Sequence, residues 1–156
     1  MSPRYYTIAS STAKHPDQVY IAISLEWQPK KNGKCVCGWV SRYLDEINNT
    51  LAESSKIVSR IFIKDSSFLM PESHKTPIIM VGPGTGIVPF IGFLEERSIA
   101  KENGEELGEA LLFFGCREKE SDYIYRDEMG AAEDNGVISG LNIAFSRQEG
   151  EPKKYV

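Results

Sequence analysis

The chain has 156 residues and a mass of 17.5 kDa, with 41% hydrophobic and 26% charged residues. That balance is globular, and the length gives room for one ordinary domain or two small ones with a buried core. A net charge of −4 and a pI near 5.3 argue against a non-specific nucleic-acid binder, and no run of about 18 apolar residues offers a transmembrane span. Met1-Ser2-Pro3-Arg4 lacks the apolar core of a signal peptide. The three cysteines, Cys35, Cys37 and Cys116, are odd in number and too tightly spaced at 35 and 37 for an ordinary disulfide. With only His15 and His74 beside them, they predict a reducing compartment and no zinc centre.

The first half reads as β structure with one helix. Arg4–Ala9 and Val19–Leu25 are β-branched and aromatic-rich between polar turns, and Val19, Ile21, Ile23 and Leu25 alternate onto one face. Trp39, Val40, Tyr43, Leu44 and Ile47 recur at helical steps, which predicts a helix over 39–47. Asn48–Ser55 is a polar connection and Arg60–Ile63 a third short strand. A polar stretch at Ser66–Pro77, with Pro71 and Pro77, marks a boundary. Charge changes sign there: residues 1–77 hold 10 basic and 7 acidic side chains, residues 78–156 hold 8 and 15. The expected organisation is one lobe over 1–70, a linker over 71–77 and a second lobe over 78–156.

The second lobe alternates strand and helix. Ile78–Val81 is a short buried-type run, followed by Gly82-Pro83-Gly84-Thr85-Gly86. Ile87, Phe90, Ile91 and Leu94 form one stripe of a helix over 87–102, with Pro89 confined to its first turn and Gly104 as its stop. Ala110–Phe114 is a second strand, Tyr123–Glu133 a second helix with Asp122 as cap, and Leu141–Phe145 a third strand. This β-α-β-α-β order predicts a parallel sheet.

The strongest chemical signal is the glycine triplet between buried strand and helix. Its backbone can turn sharply and approach a ligand, and the helix start offers free N–H groups to a phosphate. It is neither a Walker A loop, for want of Gly-Lys-Ser/Thr, nor the G-x-G-x-x-G fingerprint, since Ile87 stands at the third glycine. Beyond the third strand, Ser146-Arg147 and Lys153-Lys154-Tyr155 combine cations, a hydroxyl and an aromatic ring. They suit a phosphate monoester beside an adenine, which favours NADP over NAD. Arg4-Tyr5-Tyr6-Thr7 offers a guanidinium, aromatic rings and a hydroxyl to a flavin nucleotide. Gly33–Ser41, leading into the first helix, is another candidate phosphate site.

Five segments in order resemble the diflavin reductases, the FAD- and NADP-binding proteins of ferredoxin-reductase type: RYYTIASS from Arg4, TPIIMVGPGTGIVPFIGFLEER from Thr76, FGCR from Phe114, DYIYRDE from Asp122 and NIAFSR from Asn142. The motifs are specific for the family and less so for its member; a haem-protein reductase fits first, with methionine synthase reductase as the alternative. The resemblance implies a partial antiparallel FAD-binding barrel followed by a three-layer α/β NADP-binding domain with a parallel sheet of order 3-2-1-4-5. In that family the positions of Arg4, Tyr6 and Thr7 meet the FAD pyrophosphate, the isoalloxazine and its reactive edge, so Thr7, where serine is usual, is the catalytic candidate. Cys35, Val36 and Cys37 occupy the FAD phosphate loop, with a thiol where the family has a hydroxyl. Gly84, Thr85, Gly86, Cys116, Arg117, Ser146, Arg147, Lys153 and Tyr155 fall on NADP contacts.

The resemblance further implies hydride transfer from NADPH to FAD, then single electrons through FMN, bound in a separate domain, to a haem protein of cytochrome P-450 type. It implies residence at the cytoplasmic face of the endoplasmic reticulum. The family's FMN domain, its Cys-Gly-Asp segment and its terminal aromatic residue have no counterpart here, so the sequence reads as a central piece truncated at both ends, with Ile78–Val81 as an open sheet edge. The competing expectation is a non-catalytic NADP-binding module.

Overall fold

A computed structural model describes residues 3–24, 27–29, 35–51, 60–150 and 152–156. They form two compact units. Residues up to Ala22 group with Met70–Val156, and Ile23–Leu69 form the other. The change between the units lies at 69–70. The first 22 residues, however, pack with the second expected lobe, for a reason that lies in the helix after the glycine loop.

In the smaller unit, β1 (Trp27–Pro29) and β2 (Cys35–Cys37) pair antiparallel, Trp27 opposite Cys37. Helix α1 spans Trp39–Leu51. It begins with the Arg42 N–H donating to the Gly38 carbonyl and carries an Arg42–Glu46 pair one turn apart. The helix outlasts its expected end, because Asn48–Leu51, expected as a connection, continue it. Arg60–Ile63 forms no ladder, and Ile61, Phe62 and Ile63 are exposed. Gly33, Lys34, Leu25 and residues 52–59 of the expected elements lie outside the described residues. The expected flavin-type barrel is therefore not seen: among the described residues, antiparallel pairing amounts to β1–β2 and one bridge, Ile8–Ile21, in the other unit.

The larger unit holds the predicted parallel sheet. Strand β3 spans Ile78–Pro83, β4 Ala110–Cys116 and β5 Gly140–Phe145, in the order β3-β4-β5. Ile78 stands opposite Ala110 and Leu111 opposite Gly140. A 3-10 turn, Gly84–Ile87, links β3 to helix α2 (Val88–Glu102), with Pro89 in its first turn. Helix α2 ends as its sequence predicts: Gly104 has a φ of +84°, and the Gly104 and Glu105 N–H groups donate to the Lys101 and Ala100 carbonyls. A short helix α3 (Lys119–Asp122) follows β4, and α4 spans Arg126–Asp134.

The predicted second helix is thus displaced. It starts at Arg126, after Tyr125 turns the chain through the left-handed region at φ 54°, and Asp122 does not cap it. An aspartate ahead of an apolar run looks like a cap in sequence; here its carboxylate is taken by an arginine.

Met80, Leu112, Phe114, Ala110 and Cys116 of the strands form one buried cluster with Ile87, Phe90, Ile91 and Leu94 of the turn and α2 and with Met129 and Ala132 of α4. Both helices therefore cover the same face. The alternate strand residues Ile79, Val81 and Leu111 are exposed, Ile79 to 71%. The third layer implied by the resemblance is not among the described residues.

Arg97, 1% exposed, ties this unit together. It donates to the carbonyls of Val137, His74 and Gly108 at 3.2, 3.3 and 2.6 Å. A buried guanidinium with three backbone acceptors satisfies carbonyls that no strand or helix reaches. Burial alone lowers its pKa.

Candidate functional site

The site is built where the three parallel strands end. Strand β3 must reverse into α2 within a few residues, and Gly82 makes that possible. A β-carbon at Gly82 would stand 2.8 Å from the Ile87 N and Cα atoms. Gly84 has a φ of +54°, with open space around it, and Thr85 and Gly86 are exposed. The turn therefore presents backbone rather than side chains to the outside, at the amino end of a 15-residue helix. Such a cradle, filled by any side chain at Gly82 and open at Gly84, fits a nucleotide phosphate.

Beside it, Cys116 ends β4. Its thiol is buried and directed at the Glu118 carbonyl, 3.7 Å away, and burial, with the Asp122 carboxylate adding, pushes its pKa up. Cys116 is thus a neutral wall of the site. Arg117, one of the expected NADP contacts, is gripped in bidentate fashion by Asp122 at 2.9 and 2.7 Å. The same pair holds the Asp122 carboxyl below its ordinary range. The sequence pattern alone gives no sign of Asp122 as the partner of Arg117.

The chain after β5 is drawn to the same place. The Ser146 N–H donates to the Cys116 carbonyl at 3.0 Å and the Arg147 N–H to the Arg117 carbonyl at 2.9 Å. The Ser146 hydroxyl donates to the Cys116 carbonyl at 3.4 Å. Ser146 and Arg147 thus extend the β4–β5 ladder one step beyond the strands, and Arg147 is exposed. The tail returns as well: the Lys154 N–H donates to the Phe145 carbonyl at 3.1 Å, and a Val156 methyl lies where a side chain at Gly115 would stand, 3.2 Å away. Lys153 and Tyr155 flank that bond, both exposed, Tyr155 to 73%. Two strand spacings of about 4.8 Å separate β3 from β5, so the glycine turn and the Ser146–Arg147 turn stand about 10 Å apart.

On the core side of the strand ends, Tyr123 stacks on Phe114 with ring centroids 5.4 Å apart and meets Phe145 edge-on at 5.9 Å. Burial raises its hydroxyl pKa. These rings stiffen the floor beneath Cys116 and Ser146.

The expected FAD contacts divide. Arg4, Tyr6 and Thr7 lie exposed on an extended segment of the larger unit, while Cys35, Val36 and Cys37 form β2 of the smaller one. A hollow of about 610 Å³ lined by Glu72, His74, Lys75, Glu105 and Glu106 lies at the opposite end of the sheet and holds only surface pairs such as Lys75–Glu106. No three His, Cys, Asp or Glu side chains among the described residues are grouped to hold a metal, and no described helix is long and apolar enough to cross a membrane.

Residues 80–154 match the family model of the oxidoreductase NAD-binding domain. The whole chain is 40% identical to the NADPH–cytochrome P450 reductases of Rattus norvegicus and Homo sapiens, and spans 23% of their length. It is 43% identical to the bifunctional cytochrome P450/NADPH–P450 reductase 1 of Bacillus subtilis (strain 168), of which it spans 14%.

Proposed function

We propose that this chain, a diflavin reductase relative, supplies the NADP-binding site and part of the flavin site of an NADPH-dependent reductase. One observation carries the reading: the glycine turn, the Ser146–Arg147 turn and the Lys153–Tyr155 tail gather at the carboxyl ends of one parallel sheet. Ligands of open α/β sheets bind at that end.

In this reading the backbone N–H groups of Gly84–Gly86 and the Thr85 hydroxyl hold the pyrophosphate. Arg147 and Lys153, beside the Ser146 hydroxyl, hold the 2′-phosphate, and Tyr155 lies along the adenine. Cys116 closes the cleft as a neutral thiol and excludes water there. Arg117, committed to Asp122, fixes the loop before α3 and leaves the monoester to Arg147. On the flavin side, Arg4 takes the pyrophosphate, Tyr6 the ring face, and Thr7 offers its hydroxyl to the ring edge. When both are bound, the nicotinamide supplies a hydride that the flavin accepts.

In a reductase of the relatives' full length, electrons would pass through FMN to a haem acceptor; the relatives' names make a cytochrome P450 the first candidate, and the endoplasmic reticulum is a proposal that rests on the resemblance alone. Incubation of the chain with FAD, desalting and anaerobic addition of NADPH tests the reading. We expect weak FAD binding, with the flavin that is retained bleaching, more slowly by about tenfold in Thr7→Val for one lost hydrogen bond. A colourless chain still retained by a 2′-phospho-ADP resin would instead support a non-catalytic NADP-binding module, and a chain that is neither coloured nor retained refutes both.

A further inference from the structure

The N-terminal segment is fastened to α2 at one side chain, Glu95. The Ser11 N–H donates to Glu95 Oε2 at 2.9 Å, His15 Nε2 meets Oε1 at 3.1 Å, and Lys14 Nζ meets the same oxygen at 3.2 Å. Ser11 is 6% exposed and Ala9 is buried. The segment crosses α2 directly over Gly92, where a β-carbon would come within 3.4 Å of the Ser10 carbonyl. Within the segment, Ser11 folds a turn: its carbonyl accepts the Lys14 and His15 N–H groups and its hydroxyl accepts that of Ala13. The Ala9 N–H donates to the Tyr20 carbonyl, and the His15 ring sits edge-on to Tyr20 at 4.8 Å. Residues 9–20 are therefore one small folded loop with Glu95 at its base.

This places two expected sites on one bar. Glu95 lies seven residues, about 10 Å, along α2 from Val88, where the glycine turn ends. Thr7 lies four residues before Ser11. We infer that Glu95 is a positioning residue: by clamping Ser11–His15 to α2, it fixes the spacing between the Arg4–Thr7 segment and the glycine turn. The inference rests on the nucleotide reading above, but the clamp has its own readout. Among the three contacts, Ser11 carries most. Its N–H is buried against a carboxylate, whereas Lys14 is half exposed and worth little.

The test compares wild type, Glu95→Ala, Glu95→Gln and Gly92→Val. Gln keeps an acceptor for Ser11 and a partner for His15; Val at 92 wedges the segment off the helix with Glu95 intact. The readouts are amide exchange at Ala9 and Ser11, FAD affinity by fluorescence and 2′,5′-ADP affinity by calorimetry. In Glu95→Ala and Gly92→Val, we expect both amides to exchange at least tenfold faster and FAD to bind at least tenfold more weakly. We expect 2′,5′-ADP affinity to stay within twofold, and Glu95→Gln to behave as wild type. Unchanged exchange in Glu95→Ala overturns the clamp. Equal losses of both ligands, or no rescue by Gln, overturn positioning in favour of a general structural role. A wild-type chain that binds neither nucleotide overturns the functional reading and positioning with it, while Ser11 exchange still decides the clamp. If Glu95→Ala does not fold, Gly92→Val alone carries the comparison.

Discussion

Gly82 shows how a single missing β-carbon shapes a site. Alanine there would push into the Ile87 backbone at 2.8 Å, and backbone cannot swing aside as a side-chain tip can. We expect Gly82→Ala to cost about 1–3 kcal/mol in urea unfolding and to weaken 2′,5′-ADP binding, because the turn that must move is the one proposed to hold phosphate. Arg97 is the opposite case, a charge used for structure. Arg97→Ala would leave the Val137 and Gly108 carbonyls without this donor, while the His74 carbonyl keeps the Gly108 N–H, and we expect a loss of about 2–4 kcal/mol in the same measurement. At Glu95, burial raises the carboxyl pKa, but the contacts from Ser11, His15 and Lys14 together outweigh it and leave a net lowering from 4.5. Burial, with the Glu128 and Glu95 carboxylates adding, raises the Tyr125 hydroxyl. A folded pKa below the unfolded one stabilises at pH values above about 4.5 and is lost as pH falls through the folded value. Unfolding free energy should therefore fall on acidification in that range, and less steeply in Glu95→Gln.

At the scale of elements, what the sequence revealed followed from how local the cause was. Helix α2 and β3–β5 were readable because a 3.6-residue stripe, buried runs and punctuating glycines all agree within a few residues. The Gly104 terminus is one such local device. Gly104→Ala should cost about 1 kcal/mol in urea unfolding by forcing a β-carbon into φ +84°. The first-half strands were not readable in the same way. Arg4–Ala9 and Val19–Leu25 have the composition of strands, yet a strand exists only where a partner pairs, and among the described residues their ladder pairing is the one bridge of Ile8 with Ile21. The start of α4 was misplaced because the left-handed turn at Tyr125 leaves no compositional mark, and the aspartate that looked like a cap is held by Arg117. Of the proposed NADP contacts, the glycine turn shows in the spacing of its residues. The gathering of Ser146, Arg147 and the tail needed the β4–β5 ladder to be seen. Glu95 had no signal at all, since its partners lie 80 and 84 positions away.

At the scale of the molecule, charge and topology converge. The second half holds 8 basic and 15 acidic side chains, yet Arg147, Lys153 and Lys154, all exposed, follow the end of β5. Cations in an acidic surround suit the small anion of the proposed site, and their effect should weaken as salt screens it. The most direct measurement is therefore calorimetric titration of the 156-residue chain with 2′,5′-ADP at low ionic strength, in wild type and Arg147→Glu. The account predicts binding by the wild type and at least a tenfold loss on charge reversal, with 5′-ADP affected little. No heat from the wild type, or equal binding by the reversed variant, would contradict it.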